Sequence, residues 1–318
     1  MRFRTQLSSV STFANQGTQV WAALPTEAIF DESYTLEAAA GVVNLEVPIG
    51  ALSRALRSAN GATSAQLRLT KKGNIPLLAL TIISSSLVPG NVPLGVDADN
   101  ELARPNQGYR EEMNQSAARE RETVITQEIP VKVLHQSVVD GLHEPHCRDP
   151  DVHIILPSLA QLKAISDRFT KLATSSSKSS GGPWTSAAFG PKLELSANMH
   201  GSLKIGIATD SLRISSVWTG LVNPPLDPNQ MPDTDMDQLP SERMRQLGAE
   251  ANGDDEAGWA KVRIDGKDWG RVLSVGRLSP KVVACFIHES ALILYVYLRG
   301  GFSGEESCLT YYINSYST

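Results

Sequence analysis

The sequence predicts an α+β protein made of two copies of one strand-rich domain, and three observations support this fold class. The 318 residues suffice for two domains of ordinary size. Short alternating or continuously apolar segments lie between a few amphipathic helical segments. The order strand, basic helix, strand, tight turn and strand occurs over residues 43–83 and again over 260–299.

The first half of the chain is predicted to be mostly strands, with one helix over residues 50–59. The strands that precede the helix are TQVWAAL, SYTLEAA and VVNLEVP. The helix has an apolar face formed by Leu52, Ala55 and Leu56. Residues 64–83 then predict a hairpin that turns at 71–74, and the strand TVITQEIPVKVL follows a predicted loop over 84–121.

The second half contains the clearest helix of the chain. It follows the strand VHIIL, and Pro157 suits its first turn. The apolar positions of this helix are Leu159, Leu162, Ile165, Phe169 and Leu172. Further strands are predicted at KLELSANMH, SLKIGIAT, SLRISSVWT, AKVRI, KVVACFIHE, ALILYVYL and CLTYYINS, with a short helix at DGKDWGRVLSV. Long loops are expected over 175–190 and 222–258, the latter with a short helix at SERMRQ.

Composition narrows the class of protein. The apolar runs at 75–83 and 291–298 are far shorter than the ~20 residues of a membrane helix. The three cysteines are widely spaced and odd in number, which argues against a disulfide framework and favours a reducing compartment. The net charge of −5 hides an acidic segment over 226–258, whose net charge of −7 leaves the rest of the chain at +2. A mildly basic body is compatible with nucleic-acid binding.

The stretch GLHEPHCRDPDVHIILP raises the question of a metal site. Zinc would need His143, His146, Cys147 and His153 to converge on one ion, but their spacing matches no common zinc pattern. His146 and Cys147 are adjacent, and His153 lies in a predicted strand. We therefore expect no metal and no cofactor, and interpret the stretch as an extended, solvated connection.

Several stretches together carry a resemblance to a known family. They are MRFR, LSRALRSANGATSAQLRLTKKGNIPLLALTI, EIPVKVL, EPHCRDPDVHIILPSLAQLKAISDRFTKLA and NPPL. In this order they resemble the Hus-one subunit of the nine-one-one (9-1-1) checkpoint clamp, a family similar in fold to PCNA-type sliding clamps. The resemblance implies two PCNA-like domains, each with a curved antiparallel sheet outside and helices along the inner face.

The resemblance also implies where the domains divide. The expected parts are an N-terminal domain over 1–134, a connecting loop over 135–151 and a C-terminal domain over 152–318. Relative to the family, the chain lacks a helix and about two strands after Asn15, roughly 20–30 residues by typical element sizes. The first domain is therefore expected to be truncated, with a sheet that has lost neighbouring strands and cover.

The helices are expected to face DNA. The resemblance places these basic residues along the central hole: Arg54, Arg57, Lys163, Arg168, Lys171, Lys267 and Arg271. There they would meet phosphates without reading bases, so that the ring can slide. The competing interpretation is that charged helix faces are simply solvated, with Lys163, Asp167 and Lys171 spaced for i,i+4 pairing.

Assembly is expected at two edge strands, at residues 122–131 and 211–221. The residues that would support pairing there are Val124, Ile125, Thr126, Ile214 and Val217. The implied partners are Rad-nine-like and Rad-one-like subunits, a clamp loader and double-stranded DNA in the nucleus.

Three alternatives remain open at this point. One is a homotrimeric processivity clamp of PCNA type. Another is a metal-dependent nuclease that uses the histidine-rich stretch, and a third is a nonfunctional truncated product. No P-loop, G-x-S-x-G, H-E-x-x-H or two-metal nuclease pattern occurs, so no enzymatic activity is expected.

Overall fold

The structure is a computed structural model of the whole chain. It describes residues 2–4, 8–13, 18–24, 29–38, 41–88, 119–179, 192–209, 212–225, 239–249, 256–277, 281–298 and 307–316. These residues form two compact units: unit 1 comprises Met1–Asn44 and Leu134–Thr318, and unit 2 comprises Leu45–Val133. Among the helices of these ranges, none is long and apolar enough to cross a membrane.

One sheet of unit 1 is an antiparallel succession of strands that joins both ends of the chain. Its strands are β1 (Arg2–Arg4), β2 (Ser8–Phe13), β3 (Thr18–Leu24), β9 (Val152–Ile155), β14 (Val282–Ile287), β15 (Ala291–Leu298) and β16 (Ser307–Asn314). Within this unit their order is β1-β2-β3-β16-β15-β14-β9. The pairing of β3 with β16, from Thr18↔Ile313 to Ala23↔Cys308, groups the first 44 residues with the C-terminal half.

A second sheet of unit 1 consists of β10 (Lys192–Asn198), β11 (Leu203–Ala208), β12 (Arg213–Trp218) and β13 (Trp259–Asp265). Their order in the sheet is β12-β11-β10-β13. The helices of the unit are α2 (Gln136–Asp140), α3 (Leu159–Ser179), α4 (Pro240–Ala249) and α5 (Gly266–Val272). Short 3₁₀ helices lie at Glu256–Gly258 and Leu273–Arg277. The sheets and α3 and α5 enclose one apolar core around Leu162, Trp269 and Phe286.

Unit 2 is smaller than unit 1, and fewer of its described side chains are buried. It contains α1 (Ile49–Ser58) and the strands β5 (Ser64–Lys72), β6 (Ile75–Val88), β7 (Arg119–Pro130) and β8 (Lys132–Val133), together with β4 (Asn44–Glu46) except for its first residue. The strands β5, β6 and β7 form a three-stranded antiparallel sheet, and β4 pairs with β8. Gly73 and Asn74 connect β5 to β6, and the positive φ of 62° at Gly73 explains glycine as the first residue of this two-residue turn.

Several predicted elements are confirmed with shifted boundaries. Helix α1 and the hairpin of β5 and β6 lie where the pattern places them, as do α3, α5 and the later strands. The helix predicted at SERMRQ is α4. Strands β6 and β7 extend into the predicted loop 84–121, and α3 extends into 175–190. The remaining residues of these loops, like the predicted deletion after Asn15, lie outside the described residues.

Other expectations are wrong. Residues 34–38 have no regular secondary structure, so SYTLEAA is not a strand. Helix α3 begins at Leu159, two residues after Pro157, because the Ser158 carbonyl accepts the first helical hydrogen bond, from the amide of Leu162. Near the end of α3, Ala173 is buried in the core while Leu172 is 43% exposed.

Candidate nucleic-acid interface and subunit edges

Helices α3 and α5 are held together by a buried polar contact inside the apolar core. The Trp269 side chain is fully buried, and its indole Nε1 donates to the Ser166 hydroxyl at 3.1 Å. That hydroxyl in turn donates to the Leu162 carbonyl at 2.7 Å. Every polar atom of this chain of contacts is therefore satisfied, which fixes the position of α5 against α3.

Two glycines allow this close approach. A Cβ atom at Gly270 would lie 3.2 Å from the Asp167 carboxylate, and one at Gly276 would lie 2.6 Å from the Cβ of Leu159. The second distance is shorter than any ordinary contact between carbon atoms. The backbone after α5 thus packs directly on the first turn of α3.

Two of the predicted DNA-facing cations are engaged in contacts within the fold. The ammonium of Lys163 donates to the Gly270 carbonyl at 2.6 Å and lies 3.8 Å from the Asp167 carboxylate. Arg271 donates to Asp268 at 3.0 Å, although its side chain is largely exposed. Because Lys163 bridges α3 and α5, its role in packing competes with a role in phosphate binding.

Three other predicted cations of unit 1 are exposed. Arg168 and Lys171 lie on α3, and Lys267 lies on α5. Lys171 and Lys267 line one open depression together with Thr170, Thr174 and Ser175. Two lysines from different helices therefore line the same solvent-exposed depression, a suitable arrangement for phosphate oxygens.

In unit 2 the predicted cations lie on α1. Arg54 and Arg57 are both exposed, and Arg57 is in the last turn, where the helix dipole favours a positive charge. Ala55 is fully buried, whereas Leu56 is 52% exposed. The buried face of α1 is thus narrower than the sequence predicts, and Leu56 does not belong to it.

The first predicted subunit edge, β7, has an exposed outer part. Val124, Ile125 and Thr126 are all exposed, and Val124 is 62% accessible. Strand β7 pairs only with β6 in its sheet and therefore has one free edge among the described strands. Exposed β-branched side chains on a free edge are a suitable surface for strand pairing.

The second predicted edge, β12, is also the last strand of its sheet. Val217 is 51% exposed. Ile214 is only partly exposed and packs against the core of unit 1, so a charge at this position would disturb the fold as well as an interface. Val217 is therefore the cleaner position for testing assembly.

Two contacts fix the segment after α2 onto unit 1. Arg148 makes a two-pronged hydrogen bond to Asp151, at 2.8 and 2.7 Å, and Asp151 also accepts from the His288 amide at 2.7 Å. Upstream, the Tyr312 hydroxyl donates to Glu144 at 2.8 Å. Sequence reasoning missed these contacts, because Glu144 and Tyr312 are 168 residues apart and no local pattern links them.

The histidines and the cysteine of this segment do not converge on one point. His143, His146 and Cys147 are exposed, whereas His153 is buried in β9. Among the described residues no cluster of histidine, cysteine and acidic side chains could hold a metal ion. The expected extended connection does contain one short helix, α2, whose first turn is capped by His135.

Burial determines most of the pKa shifts in unit 1. Burial raises the pKa of Cys285 to about 12, so its thiol stays protonated and inert. Burial, reinforced by the hydrogen bond to Glu144, raises the pKa of Tyr312. Burial lowers the pKa of His153, and Arg245 contributes in the same direction. None of these groups is poised for acid–base chemistry near neutral pH in an open cleft.

Comparison with known proteins identifies relatives over nearly the whole chain. The family model described as "Hus1-like protein" matches residues 1–317. The checkpoint protein hus1 of Schizosaccharomyces pombe is 32% identical over 299 residues, covering 94% of this chain and 83% of that protein. The checkpoint protein hus1 homologue of Dictyostelium discoideum is 23% identical and covers 94% and 82%.

A shorter match and a solved structure complete the comparison. The human checkpoint protein HUS1 is 26% identical over 216 residues, which span 67% of this chain and 59% of the human protein. The crystal structure of proliferating cellular nuclear antigen (PCNA) from Entamoeba histolytica has a TM-score of 0.51 and 12% identity. It covers 99% of this chain and 89% of that one, and it shows that the fold is of the PCNA type.

Proposed function

The chain belongs to the Hus1-like family, and from this membership we propose that it is one subunit of the 9-1-1 sliding clamp of the DNA damage checkpoint. The family match over residues 1–317 is the observation that carries the proposal. The PCNA-type fold supports it, because a clamp acts by encircling DNA. The proposed mechanism is encirclement and recruitment of checkpoint kinase and repair proteins, and this chain makes or breaks no covalent bond.

The proposed ring is a heterotrimer with Rad-nine-like and Rad-one-like subunits, closed in the nucleus around double-stranded DNA by an ATP-dependent clamp loader. The free edges of β7 and β12 support this assembly, since each exposes apolar residues at the end of a sheet. The division of the chain into domains over 1–134 and 152–318, joined by 135–151, is part of the proposal.

Within the proposed ring, the cations differ in what they contribute. Arg54, Arg57, Arg168, Lys171 and Lys267 are exposed and suited to phosphate contact. Lys163 and Arg271 also belong to the proposed DNA-facing set. Their contacts to the Gly270 carbonyl and the Asp268 carboxylate make them less available for phosphate binding. Sliding requires only such contacts to the sugar–phosphate backbone, because base contacts would hold the ring at particular sequences.

Co-expression with the two partner subunits tests the assembly. Native mass measurement should find the chain as a monomer alone and as one subunit of a three-chain complex with its partners. A homotrimer of the chain alone would instead identify a processivity clamp of PCNA type. Val217→Asp should reduce recovery of the complex, whereas Leu172→Asp on α3, where the side chain is 43% exposed against 51% at Val217, should not.

Encirclement itself is tested by DNA topology. The assembled complex, loaded on a nicked circle, should remain bound through a high-salt wash and should be lost when the circle is cut. Equal retention on the circle and on linear DNA with open ends would contradict encirclement. Salt-sensitive binding to both forms would leave only nonspecific phosphate contact.

A further inference from the structure

Strand β5 of unit 2 is the last described strand of its sheet. All nine residues of β5 are exposed. On one side the strand pairs with β6, from Ser64↔Ile83 to Lys72↔Ile75, and no other described strand lies on its far side. Its backbone amides and carbonyls on that side are therefore available for a further strand.

An apolar row runs across the sheet and ends at this edge. On β6, Leu78 and Leu80 are 8% and 3% exposed. Directly opposite them on β5 lie Leu69 and Leu67, which are 42% and 36% exposed. Because opposite residues of an antiparallel pair share a face, the row of leucines continues from the core to the open edge. No described strand lies beyond its last members.

Unit 1 contains the same arrangement with the edge occupied. There the succession β16-β15-β14 corresponds to β7-β6-β5 in chain order, and β9 pairs antiparallel with β14. Four residues of β9 suffice, from Phe286↔Val152 to Val283↔Ile155. Val152 and Ile154 are completely buried in that position. Unit 1 thus shows that a short antiparallel strand can occupy an edge of this kind.

The charges on β5 indicate which residues an added strand would carry. Strand β5 carries three cations and no acidic residue: Arg68, Lys71 and Lys72. Lys72 lies 3.5 Å from Glu128 in an exposed ion pair, and Arg68 and Lys71 are exposed. Lys71 lies on the same face of the strand as Leu67 and Leu69. Since residues two apart share a face, Arg68 lies on the face opposite to the leucines. An added strand with acidic residues on that face would complement the edge.

We propose that β5 is a docking edge for an extended segment of a partner protein, which adds as an antiparallel strand. The segment alternates apolar residues, facing Leu67 and Leu69, with acidic residues, facing Arg68. Main-chain hydrogen bonds supply the affinity, and the alternating side chains fix the register. This inference depends on unit 2 alone and is independent of the ring and of DNA binding.

A model peptide tests the edge directly. The probe is a fluorescent eight-residue peptide that alternates valine and glutamate, and its control has the same composition in scrambled order. Fluorescence anisotropy should detect binding of the alternating peptide to the full chain at least about tenfold tighter than the control, a difference of ~1.4 kcal/mol. Hydrogen exchange of amides within 64–72 should slow in the complex.

Matched variants locate the site. Leu67→Ala with Leu69→Ala should weaken binding, whereas Gln66→Ala with Thr70→Ala, on the other face of the same strand, should leave it nearly unchanged. Equal effects of the two pairs, or protection of β7 or β12 instead of β5, would overturn the proposal. Displacement of the peptide by a DNA duplex that protects residues 64–72 would show that this edge binds nucleic acid and not a protein strand.

Discussion

The two units share a succession of strand, helix, strand, turn and strand, yet they bury it to very different degrees. All six residues of β14 in unit 1 are buried. All nine residues of its counterpart β5 in unit 2 are exposed. Strand β14 has the continuously apolar sequence VVACFI, whereas β5 alternates apolar and polar residues as SAQLRLTKK.

The difference lies in what surrounds each strand. In unit 1, β9 lies beside β14, and α3 and α5 pack against the same core. Among the described residues of unit 2, α1 is the one helix, and no described strand lies beyond β5. A strand that is covered on both faces must be apolar throughout, whereas a strand at an open edge keeps polar residues in alternation. The same order of elements therefore occurs in a unit whose strand β14 is buried throughout and in a unit whose corresponding strand β5 is exposed throughout.

The largest expected effect on stability comes from truncating Trp269, the buried side chain that joins α5 to α3 in unit 1. Trp269→Ala deletes a fully buried indole and leaves the Ser166 hydroxyl without its donor. We expect unit 1 to lose about 3–5 kcal/mol of unfolding free energy. Urea titration, followed by hydrogen exchange within each unit, measures this loss.

The matched change in unit 2 is Leu56→Ala on α1, where the side chain is 52% exposed. It should cost less than about 1 kcal/mol, because little apolar surface is uncovered. Equal losses at Trp269 and Leu56 would show that the two helices cover their sheets to the same extent, against the comparison drawn from burial.

The charged contact at Asp151 in unit 1 is more buried than the pair of Glu128 and Lys72 in unit 2. Asp151→Ala in unit 1 leaves the His288 amide and the Arg148 guanidinium without their shared acceptor, which should cost about 1–3 kcal/mol. Glu128→Ala in unit 2 removes only the exposed pair with Lys72, so we expect little or no change. Thermal unfolding of both variants checks this order, and a reversed order would contradict it.

Much of this fold could be predicted from the sequence, because its strong signals are local. The helical periodicity of α1 and α3 and the apolar runs of β14 and β15 lie within single elements. The local pattern fails where burial depends on distant residues. Leu172 fits the helical seam, but the core reaches Ala173 instead. SYTLEAA alternates like a strand, but residues 34–38 form none.

The candidate site was predictable to a smaller extent. Basic residues on the helices could be identified, and most of them are exposed. The commitment of Lys163 to the Gly270 carbonyl could not, because these residues are 107 positions apart. The fixation of the connecting segment by Asp151 and Glu144 was likewise hidden, since its partners His288 and Tyr312 lie in distant strands.

Acid should destabilise unit 1 through a buried histidine that unit 2 does not contain. All six histidines of the sequence lie outside residues 45–133, so only unit 1 can respond to their titration. His153 is 3% exposed, and its ring nitrogens make no hydrogen bond of ordinary geometry among the described residues, so the interaction with the Pro224 backbone is a weak one. Burial, with a smaller effect of Arg245, lowers its pKa below the ordinary 6.5, although the Pro224 backbone and Glu242 act in the opposite direction.

The sign follows from proton uptake. As the pH falls below 6.5 the unfolded chain binds a proton at His153 before the folded chain does, so the stability of unit 1 decreases, by at most ~1.4 kcal/mol per pH unit from this group. Urea midpoints between pH 7.5 and about 5 should fall for unit 1, and His153→Asn should flatten that dependence. His143→Gln, at an exposed position, is the control. A parallel fall in unit 2 would show that another group is responsible.

The smallest expected effect is on DNA binding, and it tests whether the cations on the helices of each unit contact phosphates or are simply solvated. Lys171→Ala with Lys267→Ala removes two charges from one depression in unit 1, and Arg54→Ala with Arg57→Ala removes two from α1 in unit 2. If each residue contacts a phosphate, either pair should lower the slope of log K against log salt by about 1.8, measured on duplex DNA with the assembled complex. Arg271→Ala, whose charge is already paired with Asp268, should change the slope less than any single member of the two pairs. An unchanged slope in both pairs would assign these residues to solvation alone, and a change in only one would show which unit carries the DNA contacts.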